Sequence, residues 1–257
     1  MQKIPTSRIV ASMPGSLPMG GAQPNTPIYA FDEALFRPEE LVPPSIAPSR
    51  TDLALDGQLA FVITGVLTRA QCQRIVLATE ALGYSAAAPG IATPPGMRMN
   101  ESVHWIADAH LMACIAARVI PLVPPTIDGR RVQARLSQRL NMYRYHPGDQ
   151  FRFHIDGDWP GYGLDDRGQR MVEWSDARSA LSMLLYLNDA CDGLEGGATR
   201  LHSRLGAVVD VNPVAGDALF FRHGFSMDSV QHEGLPVTAG VKHLARINVM
   251  YEQPAAV

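Results

Sequence analysis

From residue 136 onward the chain is a succession of short runs in which apolar and polar residues alternate, and this texture limits the folds open to it. LNMYRYH, FRFHIDGDW, ALSMLLYLND, GATRLHS, GAVVDVNP, DALFFRHG and VKHLARINVMYE are separated by HPGD, NDACDGLEGG, NPVAGD and LPVTAG. Period-two alternation sends successive side chains to opposite faces of a sheet, and clusters of Gly, Pro, Asn and Asp close the turns. Many short strands in direct succession predict a sandwich or jelly roll rather than a parallel sheet interleaved with helices.

Upstream, LAFVITGVL (59–67) has the pattern of a strand. TRAQCQRIVLATEALG follows as a helix that Thr68 caps and Gly83 ends. A second helix, DAHLMACIAARVIPLV, stops against Pro124 and Pro125. The stretch 84–100 is loop-like. So is 157–180, whose Trp159, Tyr162 and Trp174 suit a lid beside a functional site. Two helices therefore back a double-sheet core, an α+β protein that is mainly β with flanking helices. Residues 1–50 hold nine of the twenty prolines and are expected to form a Pro-rich N-terminal extension, leaving 51–257 as one domain.

Composition narrows the partners. A formal charge of −3 leaves no basic footprint for nucleic acid or an anionic membrane, so a small molecule or another protein is expected. Cys72, Cys114 and Cys191 lack C-x-x-C spacing, which argues against a disulfide framework or structural zinc and fits a reducing compartment. No apolar run reaches the roughly 18 residues of a membrane span, and the N-terminus lacks a secretory apolar core. A cytoplasmic protein is expected.

His154 and Asp156 form the one H-x-D/E pair in the chain. On a strand they lie on one face, roughly 7 Å apart at Cα, while Phe151, Phe153 and Ile155 hold the other face in the sheet. A divalent ion needs a third ligand, and His232 in the sequence HEG, seventy-six residues after Asp156, supplies one. Two histidines and one carboxylate with open positions make the facial triad of non-haem Fe(II) oxygenases.

YRYHPGDQFRFHID, SMLLYLND…GLEGGATRLH and QHEGLPVTAGVKHLARINVMY together resemble the Fe(II)- and 2-oxoglutarate-dependent dioxygenases, in particular the prolyl 4-hydroxylase-like branch. The resemblance runs over about residues 55–252, with its specific motifs between 143 and 251. It implies a double-stranded β-helix (jelly-roll, cupin-like) core, with His154, Asp156 and His232 as both metal ligands and catalytic centre. Its cofactors would be Fe(II), 2-oxoglutarate and O₂, with ascorbate as an accessory reductant. An acidic ligand at 156, rather than a small residue, implies a hydroxylase rather than a halogenase.

Lys242, ten residues after His232, stands where that branch places the cation for the distal carboxylate of 2-oxoglutarate. Tyr145 and Tyr186 stand where related enzymes put tyrosines on the co-substrate. Arg246 shares the face of Lys242 and could take the co-substrate carboxylate or face the substrate; the second role is favoured, with Arg98, Asn100 and Trp159 as further substrate contacts. The implied reaction is hydroxylation of an unactivated C–H of a small molecule or a prolyl or peptidyl substrate, releasing succinate and CO₂. Two other readings stay open: a redox-neutral cupin-type metal enzyme, and a non-catalytic sensor of oxygen or a metabolite. GLEGGATR lacks the strand–helix context of a nucleotide loop, and Ser182, His202 and Asp217 lack the spacing of a hydrolase triad. His202 and His223 read as ordinary surface or core histidines.

Overall fold

Strand pairing in the computed structural model, which describes residues 3–90 and 93–253, builds two sheets that face each other. The first half of the chain supplies β1 (Ser7–Ser16), β2 (Ala22–Phe31), β3 (Ser49–Asp52), β4 (Ala60–Thr64), α1 (Arg69–Leu82), β5 (Ala88–Pro89), β6 (Glu101–Ile106), α2 (Ala109–Val119), β7 (Thr126–Ile127) and β8 (Arg130–Leu136). The alternating half supplies β9 (Arg139–Tyr145), β10 (Phe151–His154), β11 (Pro160–Leu164), β12 (Met171–Tyr186), β13 (Glu195–Gly196), β14 (Thr199–His202), β15 (Val208–Val211), β16 (Ala218–Arg222), β17 (Gln231–Gly234), β18 (Val237–Ala239) and β19 (Lys242–Glu252). The major sheet runs β3-β4-β16-β12-β19-β9-β6-β2-β1-β5, and the minor sheet runs β10-β17-β14-β15. This is the expected jelly-roll architecture. No helix among the described residues is long and apolar enough to cross a membrane.

The alternation decides what each face of the major sheet touches. On β19, Ala245, Ile247, Val249 and Tyr251 join the core under the helices. Lys242, Leu244 and Arg246, on the opposite face, line the space between the sheets. β12 repeats this: Leu181, Met183 and Leu185 face the helices, whereas Leu184 and Tyr186 pack with Tyr143, Tyr145, Leu201 and Phe221 between the sheets. Strands covered on both faces read as nearly continuous apolar runs, so the polar residues on their inner faces stand out.

α1 forms where the capping signal predicts. Thr68 Oγ1 accepts the Gln71 N–H at 3.2 Å, Gln71 Oε1 accepts the Thr68 N–H at 3.0 Å, and Gly83 ends the helix at φ 84°. Asp108 caps α2 through the Leu111 N–H at 2.9 Å. α2 ends a turn before the expected stop, passing into a 3₁₀ turn over Ile120–Leu122, because Pro121 has no N–H to continue the ladder.

Two segments differ from the sequence expectation. The Pro-rich N-terminus contains the hairpin β1–β2, and β2 adds to the major sheet in parallel with β6, pairing Ile28 with His104 and Ala30 with Ile106. Its signal, the buried Thr26, Ile28 and Ala30 on one face, is interrupted in sequence by Pro27. Residues 157–180 are not an irregular loop, although Gly157 and Trp159 do line the cavity. They form the β11–β12 hairpin, and β12 runs without a break from Met171 into the core. Gly161 and Gly163 leave room for the Trp174 indole, since a Cβ on Gly161 would lie 2.2 Å from that ring. Arg135 covers the ring with its guanidinium carbon 3.9 Å from the centroid. The polar residues that suggested a loop are the outer face of a hairpin.

Candidate metal centre

β10 and β17 are neighbours in the minor sheet, and their register puts His154 directly opposite His232. Seventy-eight residues of sequence separate the two imidazoles, yet their centroids lie 4.2 Å apart. Phe151 stacks on His154 at 3.8 Å, and Phe221 packs against His232 at 4.3 Å, so aromatic contacts fix both rings. β10 ends at His154, and Asp156 lies just beyond it. Phe153 and Ile155 do not bury an apolar face in the sheet as the pattern suggested. Each is 44% exposed at the mouth of the cavity, because β10 is an edge strand.

One potential ligand atom from each of His154, Asp156 and His232 lies within 4.8 Å of the others. His154 Nδ1 donates to the Arg152 carbonyl at 2.7 Å, and His232 Nδ1 turns to the Val230 carbonyl at 3.4 Å. A carbonyl only accepts, so Nε2 of each ring is left unprotonated and directed at Asp156. The gaps are 3.8 Å from His154 Nε2 to Oδ1 and 3.9 Å from His232 Nε2 to Oδ2. These are too long for hydrogen bonds. They lie below roughly 4.2 Å, the most that two donors each about 2.1 Å from one ion can be apart. The donor set therefore fits a divalent metal. Burial, and for His232 also the neighbouring His154, pushes both histidine pKa values down, to about 3 for His232. Both imidazoles are neutral at pH 7, as ligation requires.

Burial opposes ionisation of Asp156, but Arg246, the two histidines and Ser182 outweigh it and hold the carboxyl well below the usual range. Oδ2 accepts Ser182 Oγ at 2.5 Å and Arg246 Nε at 2.9 Å. A directed chain stands behind it. The Trp159 N–H donates to Ser179 Oγ at 2.8 Å, and Ser179 Oγ lies 2.8 Å from His223 Nε2. His223 Nδ1 lies 2.9 Å from Ser182 Oγ. Because the Ser182 hydroxyl is given to Asp156, His223 donates from Nδ1 and accepts at Nε2. Burial pushes its pKa down to about 3, which keeps it neutral for both roles. Neighbours of this kind orient a ligating carboxylate.

The three residues open into a cavity of about 640 Å³ between the sheets. Lys242 is buried on its wall, its Nζ donating to the Gly197 carbonyl at 2.5 Å and lying 5.3 Å and 5.6 Å from the ring centroids of Tyr145 and Tyr186. Burial lowers its pKa to about 7, with no acidic partner to offset it. Tyr186 donates its hydroxyl to Thr199 Oγ1 at 2.9 Å, and Thr199 and Tyr145 line the cavity. β9 and β19 bring Tyr145 opposite Lys242, and Tyr143 opposite Leu244.

Of the residues expected to contact substrate, Arg246 and Trp159 line the cavity, but Arg98 and Asn100 do not. Arg98 is fully buried and gives its guanidinium to the carbonyls of Asn100 and Ala86, while Asn100 donates to the Glu101 carbonyl. The backbone explains this: Met99 and Met97 pair with Gln150 and Arg152 beside β10, which turns Met97 into the cavity and Arg98 away from it. Sequence reasoning passed over Tyr143, weighed Ser182 only as a hydrolase nucleophile, and discounted His223 as a neighbour of the site. Tyr143 lies two residues before Tyr145 and so shares its face, and Ser182 interrupts an apolar inner face, so both were findable. His223 follows β16 without any local signal.

Comparison with known proteins agrees with this geometry. A family model described as the 2OG-Fe(II) oxygenase superfamily matches residues 140–250. No curated protein matches the sequence. Among solved structures, the viral collagen prolyl hydroxylase of Paramecium bursaria Chlorella virus-1, in its 2OG complex, is 19% identical. That match covers 77% of this chain and 99% of the other, with a TM-score of 0.52. A Trichoplax adhaerens prolyl hydroxylase, in complex with a peptide of the hypoxia inducible factor oxygen degradation domain, is 17% identical. It covers 77% of this chain and 85% of the other, with a TM-score of 0.54. At these identities the two structures speak to the fold, and the family match speaks to the chemistry. Residues 140–250, the stretch that carries His154, Asp156, His232 and Lys242, match the 2OG-Fe(II) oxygenase superfamily, whose enzymes use Fe(II), 2-oxoglutarate and O₂.

Proposed function

We propose that His154, Asp156 and His232 hold one Fe(II), and that Lys242, Tyr145 and Thr199 receive 2-oxoglutarate in the same cavity, with Tyr186 behind the wall orienting Thr199. The observation that carries this is the shared cavity itself: two neutral histidines with one carboxylate, and a buried lysine without an acid partner, line one space. When bound, iron with 2-oxoglutarate and O₂ supplies the oxidising power for C–H hydroxylation, with succinate and CO₂ as co-products. The chain's own residues set the conditions. Ser182 and Arg246 occupy Asp156 Oδ2 and leave Oδ1 available to the ion. Lys242 offers a point charge to a carboxylate in a place closed to water. Burial holds the phenols of Tyr145 and Tyr186 in their protonated, donating form.

The substrate that fits best is a small molecule. About 640 Å³ lies within the range of small-ligand sites, and Leu184, Leu244, Phe151 and Trp159 make much of the wall apolar. A peptidyl substrate is the second reading, favoured by exposed apolar residues at the mouth of the cavity: Phe225, on its wall, is 94% exposed, and Met227, two residues on, 72%. An intracellular, cytoplasmic setting is consistent with the free thiols of Cys72, Cys114 and Cys191. The test is an extract screen with and without active enzyme for a product heavier by one oxygen, formed in step with succinate. A +16 Da metabolite supports the first reading and a +16 Da peptide the second. Turnover that needs neither 2-oxoglutarate nor O₂ would return the site to cupin-type redox-neutral chemistry.

A further inference from the structure

Behind the cavity wall lies a buried polar layer with an unusual charge balance. Arg139 is 6% exposed and has no acid beside it. It donates to the Pro89 carbonyl at 3.0 Å and, from Nη1, to Met13 Sδ at 3.5 Å. The His104 Nδ1 it approaches at 3.2 Å already donates to Asn141 Oδ1 at 2.7 Å, and its Nε has no partner. Arg246 is 5% exposed; its Nε is held by Asp156, but Nη2 is buried without a partner, as is Asn248 Oδ1. Arg139, Asn141, Tyr162, Trp159, Arg246 and Asn248 border a second cavity of about 10 Å³, room for one oxygen-sized group. Arg246 and Trp159 also line the large cavity, so they are the shared wall between the two.

Beside the small cavity the cations outnumber the acids. In the proposed complex, Asp156 offsets one charge of the metal, and the remaining metal charge together with Lys242 matches the two carboxylates of 2-oxoglutarate. Arg246, which shares Asp156 with the metal, and Arg139 are then left with no anion of their own; Arg98 is also buried without an acid but lines neither cavity. The other buried acid among the described residues, Asp189, is bound to Arg69. A buried cation without a counter-charge is costly, and two arginines that border one small cavity, each with a buried unpartnered N–H, make an anion site.

We infer that the substrate carries a carboxylate that seats at Arg246 Nη2 with Arg139 behind it, and an apolar body that extends past Trp159 toward Phe153, Ile155 and Phe225. This rests on the Fe(II)/2-oxoglutarate assignment, because that assignment gives Lys242 a different anion. Substrates of this class are apolar monocarboxylates. Neutral analogues of the same shape leave both arginines uncompensated.

The test is anaerobic calorimetry on Fe(II)-loaded protein at saturating 2-oxoglutarate. The probes are a series of alkanoates and phenylalkanoates, each paired with its primary amide. Binding of 2-oxoglutarate to the Fe(II) protein is measured first, and failure there sinks the functional assignment rather than this inference. With 2-oxoglutarate bound, at least one acid binds at least tenfold tighter than its amide without displacing 2-oxoglutarate. The preference disappears in Arg139→Gln and returns in Arg139→Lys, while Fe(II) and 2-oxoglutarate affinities hold. If no acid in the series outcompetes its amide, the site holds a water only and the inference is wrong. It is equally wrong if the preference survives in a folded Arg139→Gln. The wild-type comparison decides even if that variant does not fold.

Discussion

Replacing Lys242 with methionine separates what the residue costs the fold from what it gives the site. Its ammonium is fully buried, with one hydrogen bond and no counter-charge, and burial brings its pKa from 10.5 to about 7. That depression corresponds to roughly 4 kcal/mol of penalty at pH 7, falling to roughly 2 kcal/mol at pH 9 as the lysine is released from protonation in the folded state. The direction follows from proton counts: between pH 7 and 10.5 the unfolded chain binds a proton that the folded chain does not, so wild-type stability rises with pH in this window. Methionine removes the penalty but strands the Gly197 carbonyl, which costs about 1–3 kcal/mol. Lys242→Met should therefore be more stable than wild type by about 1–3 kcal/mol at pH 7 in urea unfolding of the metal-free protein. The advantage should shrink by about 2 kcal/mol at pH 9. The same variant should lose at least thirtyfold in 2-oxoglutarate affinity, the cost of removing one partner of a buried charge pair, about 2 kcal/mol or more. In wild type, 2-oxoglutarate affinity should itself fall as pH rises above 7. A variant that is less stable than wild type at pH 7 yet binds 2-oxoglutarate normally would refute the reasoning.

Three further outcomes follow from particular contacts. Ser182→Ala removes a charge-assisted hydrogen bond from Asp156 Oδ2 and should weaken Fe(II) binding 10–100-fold by metal titration, leaving 2-oxoglutarate affinity of the iron-loaded protein near wild type. Deleting residues 1–31 strips β2 from the edge of β6 and uncovers Trp105, which Phe31 meets edge-on at 5.2 Å; thermal unfolding should show a loss of at least about 3 kcal/mol. Gly161→Ala drives a methyl into the Trp174 ring and should cost about 1–3 kcal/mol in urea unfolding with Fe(II) affinity retained.

What the sequence made legible follows its periodicities. α1 could be read because Thr68, Gln71 and Gly83 carry the cap chemistry locally, and the jelly roll because period two survives in β9 through β19. His154, Asp156, His232 and Lys242 could be located because a motif spacing is a sequence property. The β11–β12 hairpin was hidden because its exposed half has no apolar face to alternate, and the β1–β2 hairpin because Pro27 breaks the alternation of Thr26, Ile28 and Ala30. Arg98 shows a different limit. Its side chain points away from the cavity because of how residues 97–99 pair with the chain at 150–152, and that register is a tertiary fact. The contact of Arg246 with Asp156 likewise joins residues ninety positions apart, so no local signal could distinguish it from a substrate contact.

The most direct test of the central claim is an anaerobic titration of the purified protein with Fe(II), followed by 2-oxoglutarate, in wild type, Asp156→Ala and His232→Ala. Wild type should bind one Fe(II) per chain and then one 2-oxoglutarate, with a new visible charge-transfer band that appears only when both are present. Both variants should lose the stoichiometric Fe(II) site and the band. A band of wild-type intensity in either variant, or 2-oxoglutarate binding that is indifferent to metal, would contradict the assignment of His154, Asp156 and His232 as the iron site.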